Sequence, residues 1–159
     1  MNSKTITRIV LLAVVAVAVG GWAVKEFSPT EDVVTDNGSD ATTEVIYPDG
    51  VTVINFHGEK RCRTCIGIGD LARKTIDEES AAEEKSGRIH WRHINYEEAD
   101  NAHFVTDYGL VSSTVVITLR KDGEEVKWER LDGVWDHYGD DATFRTYVAE
   151  NVSELLKQL

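Results

Sequence analysis

Apolar and polar positions divide the chain into three stretches of different character. Ile9–Val24 is apolar for 16 residues without a charge, behind the short basic flank of residues 1–8. Residues 26–44 are acidic, rich in Ser and Thr and poor in large apolar groups, the pattern of a flexible spacer. From residue 45 the periodicities of a folded domain begin. Val51–Phe56 is a β-branched run between Pro48-Asp49-Gly50 and Gly58, which predicts a buried strand. After Cys62, apolar residues Cys65, Ile68, Leu71, Ala72 and Ile76 recur at helical spacing, and one long helix is expected to run until Gly87. Ile89–Tyr96 alternates as a second strand, with Ile89, Trp91, His93 and Asn95 on one face. Ala99–Tyr108 reads as a short helix, Thr114–Leu119 as a third strand, Asp122-Gly123 as a hairpin turn and Glu125–Leu131 as a fourth strand. A last helix over 141–159 places Phe144, Tyr147, Val148, Val152, Leu155 and Leu159 on one stripe. The order βαβαββα predicts an α/β layer structure with a mixed sheet of about four strands flanked by helices.

The N-terminal stretch has the make-up of a membrane-addressing segment, with Lys4 and Arg8 on the cytoplasmic side. As a helix its 16 residues reach about 24 Å, against a hydrocarbon core of about 30 Å. Trp22 at its far end suits an uncleaved anchor, whereas Gly21 and Ala23 suit the −3 and −1 positions of a cleaved signal. Both readings give a membrane or signal segment at 1–25, a linker at 26–44 and a domain at 45–159 that lies outside the cytoplasm, in the periplasm or at the cell exterior.

Charge narrows the function. Among 159 residues, 17 Lys and Arg face 28 Asp and Glu, a formal net charge of −11. All the acids follow residue 25, so residues 26–159 hold 14 bases against 28 acids. A domain this acidic is repelled by phosphate backbones, which excludes nucleic acid as a partner. Glu78, Glu79, Glu83 and Glu84 read as the solvent face of the long helix. Two cysteines are too few for a disulfide scaffold or a four-thiolate zinc site.

Those two form Cys62-Arg63-Thr64-Cys65, between the first predicted strand and the helix it opens. A thiolate at a helix N-terminus is stabilised by free backbone N–H groups and by the positive end of the helix dipole. Lys60, Arg61 and Arg63 add positive charge, so the pKa of Cys62 is expected below the free value of about 8.5. Cys62 is then the nucleophile that forms a mixed disulfide with a partner, and Cys65, one turn further in, the thiol that resolves it. A reversible Cys62–Cys65 disulfide carries the electrons, so no organic cofactor is called for.

With this placement the chain resembles the thioredoxin superfamily over residues 45–159. More narrowly, Phe56-His57-Gly58, Arg61-Cys62-x-x-Cys65, Asn101-x-His103-Phe104 and Trp128…Leu131…Trp135 resemble the thioredoxin-like family of nitrophenyl compound nitroreductase subunits, ArsF type. The resemblance implies a thioredoxin-like fold and a thiol–disulfide role, with protein or small-molecule disulfides and dithiols as partners and a CcdA-like membrane electron carrier as companion. The nitroreductase substrate is not carried over, since nothing in the sequence forms a flavin site. Three features depart from ordinary thioredoxins. The Trp-Cys-Gly-Pro-Cys context is missing; Pro29 and Pro48 both lie upstream, so Ser112-Ser113-Thr114 must supply the loop that a cis-proline usually fills; and Asn55 stands nearest the position of the usual buried acid. Ser113 and Thr114 are therefore expected to line the loop opposite the cysteines and to meet partner backbone, with Thr64 and His57 in support.

Two rival readings use the same cysteines. In one, Cys62, Cys65 and His57 hold a soft metal ion such as Cu(I). In the other, the disulfide is structural and the domain an adaptor. The remaining histidines, His90, His93, His103 and His137, read as packing, capping or exposed residues. Trp91, Trp128 and Trp135 read as core or sheet-face aromatics, with Trp135 also in reach of a substrate-facing role because it follows the fourth strand.

Overall fold

The structure, a computed structural model, describes residues 47–159. The expected membrane or signal segment and the acidic linker lie outside the described residues, and among those described no helix is long and apolar enough to cross a membrane. The elements follow in the order β1 (Gly50–His57), α1 (Arg63–Glu79), α2 (Ala81–Lys85), β2 (Ile89–Asn95), a 3-10 turn (Ala99–Asn101), α3 (His103–Asp107), β3 (Thr114–Lys121), β4 (Glu124–Arg130), α4 (Gly133–His137) and α5 (Asp141–Leu156). They build a four-stranded mixed sheet in the order β2-β1-β3-β4. β1 is central, parallel to β2 and antiparallel to β3, and β4 closes the sheet as the antiparallel partner of β3.

The sequence of β1 explains its central place. Val51, Thr52, Val53, Ile54, Asn55 and Phe56 are all buried, so both faces of the strand are covered, and an unbroken β-branched run suits that better than an alternating one. Its odd positions face α1 and α5. There Val51 and Val53 join Ile68, Ala72 and Ile76 of α1, Val115 and Ile117 of β3, and Phe144, Val148, Val152 and Leu155 of α5. Its even positions face α3. Ile54 and Phe56 pack with Phe104, Tyr108, Leu110 and Val116, the Phe56 ring 5.2 Å from that of Phe104 and 5.7 Å from that of Tyr108.

The hairpin between β3 and β4 turns on Asp122 (φ 54°) and Gly123 (φ 81°), two successive left-handed residues that match the twist of the flanking strands. The Asp49 carboxylate accepts from the backbone N–H groups of both, at 3.1 and 2.9 Å, and so ties the chain ahead of β1 to the hairpin tip.

Three elements differ from the sequence expectation. The helix expected to run to Gly87 breaks at Ser80 and resumes as α2. A straight helix would separate Arg73 from Glu84 by about 16 Å. The Arg73 guanidinium instead grips both Glu84 oxygens at 2.7 Å, and also pairs with Asp77, which folds α2 back. The acidic face read as simply solvated is thus partly paired: Glu84 with Arg73, and Glu78 and Glu79 with Arg145 of α5. Second, α4 was not expected at all. Third, the last helix ends at Leu156, leaving Leu159 outside the apolar stripe and 45% exposed.

Two outcomes follow from the packing. Phe56→Ala removes the ring at the centre of the α3-side cluster and is expected to cost about 3–5 kcal/mol, read as a lowered urea midpoint. At the start of α5, Asp140 caps Thr143, accepting from its backbone N–H at 3.2 Å and its hydroxyl at 2.8 Å. These bonds, the backbone one first, hold the Asp140 carboxyl below its ordinary range. Its contribution is present above the unfolded-state pKa and is lost as pH falls through the lower folded value. Asp140→Ala is therefore expected to melt earlier than the parent at neutral pH, with the two curves converging on acidification.

Candidate active site

Cys62 ends the five-residue loop that leaves β1 and serves as the N-cap of α1, with extended backbone (φ −73°, ψ 161°). A helix start leaves its first N–H groups without intrahelical acceptors. Here one of them is directed at sulfur: the Cys65 N–H donates to Cys62 Sγ over 2.9 Å. The Cys62 carbonyl in turn accepts from the Ile66 N–H at 3.0 Å, which starts the helix. One turn brings the two sulfurs together, and Cys62 and Cys65 form a disulfide with Cα atoms 5.0 Å apart. Cys62 is exposed and Cys65 half-buried. When the bond is reduced, the amide already aimed at Cys62 Sγ and the N-terminal dipole of a 17-residue helix both favour its thiolate.

The flanking cations sit as the spacing requires. Lys60 and Arg63 are exposed, Arg61 is half-buried beside Cys62, and the first turn of α1 holds no acid to oppose them. Thr64 lies half-buried in the first turn, between the cysteines.

Beneath the cysteines, α1 approaches the sheet closely. Ile66-Gly67-Ile68-Gly69 places two glycines in the second turn. A Cβ on Gly69 would fall 2.1 Å from Asn55 Nδ2, and one on Gly67 2.2 Å from the Tyr138 hydroxyl. Asn55 is 2% exposed and its Oδ1 has no hydrogen-bond partner in the structure. The group under the helix start is thus a neutral amide, with no carboxylate in its place.

The loop before β3 lies behind α4. Ser113 and Thr114 are buried, at 6% and 3% exposure, and Thr114 Oγ1 is without a partner. The Ser113 carbonyl accepts from the Trp135 indole N–H at 3.0 Å. Trp135 and Tyr138 therefore clasp the two sides of the site: one bonds the Ser113 loop and the other covers Gly67 of α1. Both remain over a third exposed, as does Ile66 of α1.

The structure brings together one pair that the sequence reading kept apart. His57, at the end of β1, and His93, on β2, lie with ring centroids 4.3 Å apart at 68°. His57 Nδ1 lies 2.9 Å from the Gly58 carbonyl, to which it donates. Among the described residues no group of three or more His, Cys, Asp or Glu side chains comes together as a metal-ion site. His90 and His103 bond backbone carbonyls, of Asp49 and Asp100 respectively, and the His137 ring lies tilted against that of Tyr147, 5.1 Å between centroids. The roles of His93, Trp135 and Tyr138 were hidden from sequence because each depends on a contact between distant segments. The alternate glycines of α1 were the one legible sign that something packs closely there.

A central strand order of β2-β1-β3-β4, one parallel pair joined through α1, and a Cys-x-x-Cys disulfide at the start of that helix define a thioredoxin-like α/β domain. No family model matches the sequence, and no curated protein matches it. Solved structures that resemble it include thioredoxins. The Chlamydomonas reinhardtii thioredoxin f2 aligns at 14% identity over 51% of this chain and 66% of its own length, just under two thirds, with a TM-score of 0.33. The Fasciola hepatica thioredoxin aligns at 14% identity over 64% of this chain and 80% of its own, at 0.36. The oxidised Plasmodium falciparum thioredoxin aligns at 9% identity over 65% and 83%, at 0.38.

The close approach of α1 to β1 carries its own expectation. Gly69→Ala should lower stability by about 1–3 kcal/mol, because the buried Asn55 has nowhere to retreat. Adding Asn55→Ala in the same chain should recover part of the loss, and urea unfolding of the two variants measures both.

Proposed function

We propose that this protein is a thiol–disulfide oxidoreductase working through Cys62 and Cys65. The observation that carries the reading is the exposed Cys62 Sγ at the N-cap of α1, bonded to the half-buried Cys65 and already accepting its amide N–H. In the reduced form the Cys62 thiolate attacks a partner disulfide in line with its S–S bond. One partner sulfur leaves as thiolate, taking the electron pair, and the other is joined to Cys62. Cys65 then loses its proton and attacks Cys62 Sγ, which restores the intramolecular disulfide and releases the partner as a dithiol. The partner gains two electrons and the protein loses two; the reverse sequence oxidises a dithiol.

The finer reading is of an ArsF-type member of the thioredoxin superfamily, tethered or exported through residues 9–24 and facing the extracytoplasmic space. It is supported by the basic flank and apolar run at the N-terminus and by the motifs around the cysteines. A CcdA-like membrane carrier is the electron partner that fits this placement, and protein or small-molecule disulfides are the substrates.

Trapping tests the reading directly. In intact cells, Cys65→Ser is expected to accumulate mixed disulfides through Cys62 that are released by dithiothreitol, while Cys62→Ser accumulates none. If Cys65→Ser traps nothing and Cys62→Ser leaves the cellular function intact, the disulfide is structural and the redox reading fails.

A further inference from the structure

The imidazoles of His57 and His93 form a contact pair on the α1 side of the sheet, 4.3 Å between centroids. They belong to neighbouring parallel strands: His93 is the register partner of Asn55, and His57 is two residues further along β1. Asn55 lies against Gly69 of α1, and the loop after His57 leads through Arg61 into Cys62. The pair thus lies at the end of β1 from which the loop to Cys62 departs.

The charges around it are few and can be named. Arg61 comes from the β1–α1 loop and Asp70 from α1, and the Glu97 carboxylate, after β2, lies against Gly58 and accepts from the Glu59 N–H at 2.9 Å. Burial pushes the His93 imidazole below its ordinary range; His57 and Arg61 push the same way, and Asp70 opposes them. Two imidazolium rings in contact, with Arg61 nearby, repel each other, so a second proton is disfavoured once the first is bound. His57 donates from Nδ1 to the Gly58 carbonyl, which leaves Nε2 as its other ring nitrogen.

We infer that His57 and His93 act as a one-proton pair that tunes the reactivity of Cys62 with pH, in a site whose buried polar residue, Asn55, cannot titrate. Below the titration of the pair its positive charge joins the helix dipole and Arg61 in stabilising the Cys62 thiolate. Above it that charge is gone and the thiolate relies on the fixed groups alone. Cys62 therefore stays reactive at acidic pH to a degree that the helix start and the flanking cations would not give by themselves. Both histidines act through the field at Cys62 and are positioning residues. The inference deepens the thiol chemistry proposed above, and its test needs no partner protein.

The rate of Cys62 alkylation by iodoacetamide, followed from pH 5 to 9 in the full chain carrying Cys65→Ser, reads the thiolate directly. Adding His93→Gln or His57→Gln is expected to slow alkylation about threefold near pH 5.5 and to leave it unchanged at pH 8.5. A merely structural role would move both ends of the profile together, and that result overturns the inference. The unsubstituted chain gives an independent reading. Histidine ring-proton titrations by NMR should shift upward by about half a pH unit on reduction of the disulfide, because a thiolate at Cys62 favours the imidazolium. Coincident midpoints in the two redox states overturn the inference even where the glutamine variants fail to fold. Failure to trap partners with this pH signature intact would sink the exchange reading alone.

Discussion

The hydrogen bond from the Cys65 amide to Cys62 Sγ depends on α1 starting at one place above the sheet and in one orientation. That start is set from below. Asn55 of β1 reaches up into the gap at Gly69, and Tyr138, just after α4, closes over Gly67, so the second turn of α1 is held from two sides with no room for even a methyl group. Further along the helix, Ile68, Ala72 and Ile76 bury against β1, β3 and α5. A helix fixed this firmly keeps its unsatisfied N–H groups pointed at one spot, and their dipoles need no reorganisation when charge appears on the sulfur. The position of a single amide, set by glycines that let two backbones approach, is therefore what makes the first cysteine chemically distinct from the second.

The same economy shows in how the site is enclosed. α4 is one short turn, yet it bridges the two sides: Trp135 satisfies the Ser113 carbonyl and Tyr138 packs on α1. A loop lacking the ring constraint of proline needs another source of order, and the indole hydrogen bond supplies one. Ser113 and Thr114 are turned inward by this arrangement, and the exposed side chains of the elements that carry the site include Ile66, Trp135 and Tyr138 together with Lys60 and Arg63. The acidic body and the basic mouth are thus spatially separate. The paired acids lie toward the far end of α1, against Arg73 and Arg145.

Much of this was legible in the residues. The β-branched runs of β1 and β3 and the alternation of β2 located three strands, and Asp122-Gly123 located the hairpin and with it β4, because strand burial and turn conformation are local preferences. The placement of Cys62-x-x-Cys65 between a strand and a helix was legible for the same reason. What escaped was set by contacts between distant segments. The break at Ser80 comes from Arg73 gripping Glu84, a pairing that helical periodicity does not encode. α4 spans five residues, too short for a 3.6-residue period to show. His93 was read on the alternation of its own strand, which correctly separates it from His90 but says nothing of His57 on the neighbouring strand. Registers between parallel strands depend on the whole crossover, so a pair built across one is invisible until the fold is known.

The neutral residue under the helix start gives these misses a common consequence. A buried carboxylate at that position would be costly to ionise and would oppose negative charge on either sulfur. With Asn55 there, the thiolate of Cys62 meets no buried anion from the sheet side, and the fixed field at the mouth is made by the helix N-terminus, Lys60, Arg61 and Arg63. The groups left to respond to pH on that side of the sheet are imidazoles, which change charge by gaining a positive proton and not by losing a negative one. Acidification therefore adds positive charge at the end of β1 that leads to Cys62, where a buried acid at position 55 would instead lose negative charge from beneath Gly69.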